Sequence, residues 1–410
     1  MQKVIFWWER GLIASLTLSI ALLGIGRLEL WPGPVRISAW SVSRTAFFFW
    51  VVFKLLLFIR GGQAGIGLSK LRPLAPLCGL FLAASLSLLP DFHEAGDYRY
   101  FFFGCFHAVM LVDLFSRRAE SRWLPALAGV LPVVFVVRGF IHDPEILRFT
   151  LEHRFSFPLD HANTAGYVLA MSIPLALAVG IGKPGWLRGA ALVSCAAQVF
   201  ALVLTFSRGA WLGWGAAVLY FLVTTKRWKW VAALGVVAAT TVLVSPSLYH
   251  RLATFLQPEA DEAIRDRLEV MKGALQVGLE HPILGVGYGR GRLKEAVRPH
   301  LRETAIASSP IWHSHNVYVE LFAVTGLLGL GAFLWLIGDV FYRITRATVR
   351  REGAERLLGY GLAASWAAAA VAAIGDVPFY HHDARIFFFS LVAFAPIYEA
   401  GTRISRGRAS

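Results

Sequence analysis

Apolar stretches of about fifteen to twenty residues recur along the whole chain and are separated by polar segments. A helix needs about 20 residues to cross the hydrocarbon core of a membrane. Backbone polar groups must be paired there, and the strict alternation of a membrane β-strand is absent. The pattern therefore predicts an all-α, polytopic membrane protein of about twelve transmembrane helices, near residues 11–26, 40–59, 73–89, 99–115, 123–141, 164–182, 187–206, 209–224, 229–246, 316–342, 356–375 and 385–399.

These spans divide the chain into three parts. Residues 1–246 hold spans one to nine, residues 247–315 form a long polar loop, and residues 316–410 hold spans ten to twelve with a short tail. Within the loop, Ile264, Leu268, Met271, Leu275 and Gly278 recur at helical spacing, which predicts an amphipathic helix. A loop of this length that carries its own helices is more often functional than a spacer.

Composition supports the membrane assignment. The chain is 56% hydrophobic and only 16% charged, with a mean hydropathy of +0.57, whereas soluble domains contain about 25% charged residues. The net charge of +14 is better explained by basic cytoplasmic loops than by nucleic-acid binding. The three cysteines lie in apolar spans without a CxxC pair, so neither a disulfide framework nor a zinc site is indicated.

Basic residues are concentrated in alternate connecting segments, which sets the orientation. The positive-inside rule then places both termini in the cytoplasm. Residues 142–163, 247–315 and 376–385 fall on the opposite, outer side. The first apolar stretch lacks a following cleavage site, so we interpret it as an anchor rather than a cleaved signal.

The segment from His313 to Glu320, His-Ser-His-Asn-Val-Tyr-Val-Glu, joins the long loop to the tenth span. The start of a helix disfavours an imidazolium ion, so a histidine here would stay neutral and able to accept a proton. The alternative is an interfacial helix cap with no chemical role. A metal site, with His381 and His382 as further ligands, is a lesser alternative because no known ligand spacing supports it.

Arginines form a second group of candidates on the outer side. Arg208 lies between the seventh and eighth spans, and Arg265 and Arg267 begin the amphipathic helix. Planar guanidinium groups suit bidentate phosphate contacts. Several of them at the bilayer surface indicate a site for a lipid-linked phosphate, and ordinary headgroup pairing is the alternative.

A glycine-rich turn, His281-Pro-Ile-Leu-Gly-Val-Gly-Tyr-Gly-Arg290, follows the amphipathic helix. It matches neither a Walker A motif nor a dinucleotide fingerprint, so we do not interpret it as a nucleotide site. A tight turn beside a substrate cavity is the better hypothesis.

Together these motifs resemble the O-antigen ligase and polymerase superfamily. His315-Asn316, nine residues, Gly326, two residues and Gly329 fit the ligase pattern H-[NSQ]-x9-G-xx-[GTY]. His313 does not fit it, since residue 324 is valine. Further similar segments begin at Asp160, Ser207, Arg267 and His281, although Met271 stands where tryptophan is frequent.

The resemblance implies a GT-C-like fold and an inverting, metal-independent glycosyltransferase without a cofactor, acting at the periplasmic face of the bacterial inner membrane. The donor would be O-antigen on undecaprenyl diphosphate and the acceptor lipid A–core, with a monomeric enzyme. We expect His315 to be the catalytic base and Arg265, Arg267 and Arg208 to stabilise the diphosphate. Further substrate contacts are expected from His313, Asn316, Arg154, His161, Asn163 and Arg290.

Three other functions remain open. An O-antigen polymerase would use a second lipid-linked repeat unit as acceptor, but polymerases tend to carry two long outer loops. A protein O-oligosaccharyltransferase shares the motif but usually extends further at the C-terminus. A non-enzymatic transporter or flippase of the same glycan would also use an arginine-lined cavity, although we see no clear inverted repeat.

Overall fold

The computed structural model describes most of the chain, at residues 2–25, 28–30, 35–59, 72–89, 96–116, 118, 121, 123–159, 161–243, 245–253, 262–301, 313–377 and 380–407. Asp160 and most of the polar segment 90–97 lie outside these ranges.

Helices make up nearly all of the described secondary structure. They are α1 Gln2–Ile25, α2 Ala39–Ile59, α3 Ala75–Leu86, α4 Gly96–Phe115, α5 Leu124–Val130, α6 Pro132–His142, α7 Ala162–Gly182, α8 Gly185–Leu204, α9 Arg208–Thr225, α10 Trp228–Leu243, α11 Pro246–Ala253, α12 Glu262–Glu280, α13 Arg290–Val297, α14 Val317–Val349, α15 Gly353–Ala372 and α16 His382–Gly407. Two short antiparallel strands, β1 Leu28–Leu30 and β2 Val35–Ile37, join α1 to α2 and were not expected from the sequence.

The predicted class, an all-α polytopic membrane protein, is confirmed, and every predicted span coincides with a helix or a pair of helices. Among the described residues, eight segments are long and apolar enough to cross a membrane, and two shorter apolar helices lie at residues 72–86 and 228–243. The other two predicted spans correspond to α9 and α15. These two helices pack against each other, since a side chain at Gly213 would meet the carbonyl of Ala368.

Helix α7 lies at the centre of the bundle. Within its span 89% of the residues are buried, against 28% in α1 and α2, and it packs against α5, α8, α9 and α15. Glycines allow this close approach, because a side chain at Gly166 would meet Ala210 and Thr205 at about 3 Å. The N-terminal end of α7 is thereby fixed against the turn between α8 and α9.

The long loop contains the predicted amphipathic helix as α12. Its packed side carries Val270, Ala274 and Val277, whereas Leu268 and Leu275, from the predicted apolar row, are 38% and 44% exposed. Gly278, also from the predicted row, does pack: it lies against the Phe322 ring of α14, where no side chain would fit.

The glycine-rich turn is inserted into a break in α14. Gly326 has φ +64 and interrupts the helix, and the backbone N–H groups of Val286 and Gly287 donate to the carbonyls of Ala323 and Val324. A side chain at Gly326 would meet the backbone of Ile283 at 2.2 Å. The second glycine of the ligase pattern, Gly329, packs equally closely on Thr325. Gly326 therefore lets the loop dock against α14, whereas Gly329 accommodates the Thr325 side chain within α14 itself.

Candidate active site

The segment that leads into α14 is held by two buried groups. The Ser314 N–H donates to Oε2 of Glu320 at 2.6 Å, and the Tyr380 hydroxyl donates to Oε1 at 2.6 Å. The side-chain oxygen of Asn316 accepts the N–H groups of Tyr318 and Val319 and caps the helix. Two histidines on either side of Ser314 are thereby positioned above the start of α14.

His313 is paired with a buried carboxylate. Its Nε2 lies 2.9 Å from Oδ1 of Asp376, which also accepts the N–H of Val377. Burial raises the pKa of Asp376, but the hydrogen bond from His313 and the nearby histidines outweigh it and hold that pKa well below its usual range. Asp376 is therefore ionised and supplies a fixed negative charge.

His315 adopts a strained backbone conformation, with φ +58. Its ring lies 4.2 Å from that of His313, between centroids, and its Nδ1 is enclosed without a hydrogen-bond partner among the described residues. Burial, followed by the nearby His313 and Arg267, lowers the pKa of His315 to about 3, although Asp376 opposes the shift. A low pKa of this kind favours the neutral imidazole that the sequence predicts, and its main cause is burial.

The same three side chains have the spacing of a metal site. His313, His315 and Asp376 each place one ligand atom within 4.8 Å of the others. His and carboxylate ligands suit several divalent metals. An ion here would replace the hydrogen bond between His313 and Asp376, so the arrangement is compatible with either state.

Arg154 joins two helix termini on the same side of the bundle. Its Nε donates to the Thr205 carbonyl at 2.7 Å, and a terminal nitrogen donates to Oδ1 of Asn163 at 3.0 Å. His161 caps α7, since its Nδ1 accepts the N–H of Asn163. The His161 ring stacks at 6.1 Å, between centroids, on that of His381.

Four arginines converge at this point. Burial, and then the neighbouring guanidinium groups of Arg251, Arg267 and Arg208, lower the pKa of Arg154 to about 10. We call Arg154, Arg208, Arg251 and Arg267 the arginine cluster. The hydrogen-bond acceptors of Arg154 are neutral, so its charge is not cancelled by its bonded partners. Mutual repulsion of this kind is relieved when a polyanion binds.

Eight of the ten residues expected at the site are brought together: His315, Arg267, Arg208, His313, Asn316, Arg154, His161 and Asn163. The other two are placed differently. Arg265 is exposed on α12. Asn316 is also committed to capping α14 rather than to an open contact.

Arg290 forms an ion pair instead of joining the cluster. Its guanidinium binds both carboxylate oxygens of Asp97 at 2.9–3.2 Å, and its backbone N–H donates to the same group. The guanidinium also lies 5.1 Å from the centre of the Tyr380 ring. Burial lowers the pKa of Arg290, but the bonds to Asp97 outweigh it and raise it. Arg290 therefore fixes the glycine-rich turn to α4.

Two residues of the candidate site, Arg251 and Asp376, were not predicted from the sequence. Arg251, in α11, donates to the Phe206 carbonyl at 3.5 Å and acts on Arg154. Asp376 was noted only as part of a polar outer segment. The amphipathic character of α11 was a signal for Arg251, whereas nothing local in the sequence pairs Asp376 with His313.

Comparison with known proteins points to the same region. Residues 191–334 match the family described as O-antigen ligase. The resemblance to the O-antigen ligase family is confirmed. The chain is 25% identical over 173 residues to an O-antigen ligase of Salmonella typhimurium, covering 39% of this chain and 41% of that relative. It is 26% identical over 229 residues to an O-antigen ligase of Pseudomonas aeruginosa, covering 56% and 52%.

The chain thus spans about half or less of these relatives. The matched region runs from α8 into α14 and includes Arg208, Arg251, Arg267 and His315. Arg154, His161 and Asn163 lie before it, so their place at the site is a structural observation of this chain.

Proposed function

We propose that this chain is a glycosyltransferase that ligates O-antigen polysaccharide from undecaprenyl diphosphate onto lipid A–core. The reaction is inverting and metal-independent, and it takes place at the periplasmic face of the inner membrane. One observation carries the proposal: a half-buried histidine with a low pKa, His315, lies beside an arginine cluster at one end of a membrane bundle. His315 would serve as the base for a hydroxyl, and the arginine cluster would bind a diphosphate.

The base acts on the acceptor. A sugar hydroxyl of lipid A–core attacks the anomeric carbon of the donor, a new C–O bond forms, and the bond from that carbon to the diphosphate oxygen breaks. Because Nδ1 of His315 is enclosed, its Nε2 takes the hydroxyl proton. Asp376 acts electrostatically on His315 and stabilises the imidazolium that forms. General base catalysis of this kind contributes about 10²–10⁴-fold.

The arginine cluster acts on the leaving group. Undecaprenyl diphosphate gains negative charge as it departs, and preorganised cations stabilise that charge most strongly where water is excluded. Arg267 acts electrostatically on both Arg154 and His315, so its charge is felt at the anion site and at the base. The donor carries the energy of the reaction in its diphosphate bond, and no nucleotide is needed.

The orientation of the chain in the membrane is inferred from the basic connecting segments. The segments that carry the site are the ones that the positive-inside rule assigns to the outer side. A lipid-linked donor in the outer leaflet would reach the cluster laterally, while the acceptor sugar approaches from the aqueous side.

Product analysis tests the proposal. Purified protein in proteoliposomes is given undecaprenyl-diphosphate-linked glycan and lipid A–core without ATP, and products are resolved by gel electrophoresis and mass spectrometry. We expect lipid A–core capped with polysaccharide, with inverted configuration at the new linkage. Longer glycans still on undecaprenyl diphosphate would identify a polymerase instead. Transfer of labelled donor across the bilayer without any covalent product would identify a transporter.

A further inference from the structure

A cavity lies at the opposite end of the bundle from His315. Helix α7 runs between the two ends, and its 21 residues span about 30 Å. The cavity has a volume of about 360 Å³ and opens between the last turns of α7 and α16 and the first turn of α15. We call it the basal cavity; its lining includes Arg118, Lys183, Arg351, Ala126, Leu358 and Ile397.

The lining of the basal cavity combines apolar side chains with cations and one carboxylate, that of Glu355. Ala126, Leu358 and Ile397 are among the apolar residues, and Arg118, Lys183 and Arg351 are the cations. Lys183 lies over the Trp123 ring at 5.2 Å, and no carboxylate of the described residues pairs with it. This combination fits a ligand with an anionic head and an apolar tail.

Arg351 is held in place by several contacts. Its side chain is 9% exposed, it pairs with Glu355 at 3.0 Å, and it lies 3.9 Å from the centre of the Tyr398 ring. Its Nε is enclosed, and among the described residues it has no hydrogen-bond partner. A buried donor without an acceptor is costly.

Arg118 contributes less charge to an incoming ligand. One of its terminal nitrogens lies 2.6 Å from Glu9, and its Nε donates to the Leu114 carbonyl. Arg351 is likewise paired, with Glu355, so the available charge comes mainly from Lys183. The charged side chains of the lining, Arg118, Lys183, Arg351 and Glu355, leave a net positive charge that suits a single phosphodiester.

We propose that the basal cavity binds an anionic phospholipid of the membrane leaflet on this side, with the phosphate at Lys183. The first part of one acyl chain lies along the apolar residues of the lining, and the remainder stays in the bilayer. Basic pockets between transmembrane helices bind anionic headgroups in this way, and the volume falls within the range of small-ligand sites. This binding does not depend on the reaction at the other end.

Native mass spectrometry of the full-length protein in detergent tests the proposal, with phosphatidylglycerol as probe and phosphatidylcholine as the neutral comparison. We expect one phosphatidylglycerol to be retained at lipid concentrations that leave phosphatidylcholine unbound. Lys183→Gln should weaken retention about fivefold, which is the effect of one cation near an anionic headgroup. Leu358→Trp, which fills the cavity from a partly exposed position, should weaken it too.

Lys226→Gln is the matched control, since Lys226 also follows the last turn of a helix on the same side but does not line the cavity. Equal retention of the two lipids, or equal loss in the two lysine variants, would overturn the proposal. Full competition by millimolar inorganic phosphate would also overturn it, because the site would then select a free anion. Should Leu358→Trp fail to fold, the two lysine variants still decide the matter.

Discussion

Arg154 and Arg290 are partly buried arginines on the same side of the bundle, and both were expected to contact substrate. Arg154 donates to an amide and a carbonyl and is surrounded by other arginines, which together with burial lower its pKa. Arg290 donates to the Asp97 carboxylate from Nε and from a terminal nitrogen, and these bonds raise the pKa of Arg290. The partner, rather than the residue type or the burial, determines whether a guanidinium can serve an anionic substrate.

The difference between the arginine cluster and Arg290 can be tested first by removing a charge from the cluster. Arg267→Gln should lower the rate of transfer by about 10²–10³-fold, because one preorganised cation at the leaving group is lost. Initial rates in proteoliposomes measure the effect. Lys272→Gln, on the exposed side of the same helix, is the control and should keep the rate. Arg265→Gln should lose less than Arg267→Gln, and an equal loss would place Arg265 at the diphosphate.

Removing the paired arginine should act on stability instead. Arg290→Gln leaves the Asp97 carboxylate without its partner, which costs about 1–2 kcal/mol since Arg290 is about one-third exposed. Thermal unfolding in detergent measures this loss. Adding Asp97→Asn should recover part of it. Unchanged stability together with a loss of transfer as large as that of Arg267→Gln would instead assign Arg290 to the substrate.

The pH dependence of transfer links the cluster to the base. Because the pKa of His315 lies at about 3, its neutral form persists as pH falls from 8 and is lost only when pH approaches that value. We therefore expect kcat/KM to show no inflection near pH 6.5. In Arg267→Gln one cause of the low pKa is removed, so the acid limb should move to higher pH. An acid limb near pH 6.5 in the unaltered protein would contradict this account.

Chelation should have the smallest effect. The proposed reaction uses a histidine base and arginines, so dialysis against EDTA should leave the initial rate unchanged. A loss that is restored by one divalent metal would instead assign His313, His315 and Asp376 as its ligands.

Much of the fold could be predicted because hydropathy reports directly on membrane crossing. Every predicted span coincides with helical structure, and Pro132 merely divides one span into α5 and α6. The break at Gly326 could not be predicted as such, because it depends on a turn that begins about forty residues earlier and docks there. The packed side of α12 was predicted only in part, since helical spacing alone does not show that Val270, Ala274 and Val277 are buried while Leu268 and Leu275 are exposed.

The site was predictable where a residue carries a local motif and unpredictable where it depends on a distant partner. His315, Arg208 and Arg267 were indicated by their own neighbours in the sequence. Asp376 lies 63 residues from His313, and no local sequence pattern predicts the hydrogen bond between them. Likewise, Asp97 lies 193 residues from Arg290, so the ion pair that separates Arg290 from Arg154 is visible only in the fold.

The most direct test of the central claim is the initial rate of polysaccharide transfer by His315→Ala in proteoliposomes. His250→Ala, an exposed histidine in α11, serves as the matched control. The proposed base predicts a loss of about 10²–10⁴-fold in His315→Ala, with normal insertion and unchanged binding of the lipid-linked donor, while His250→Ala keeps its rate. A near-normal rate in His315→Ala would contradict the account and move the role of base to His313.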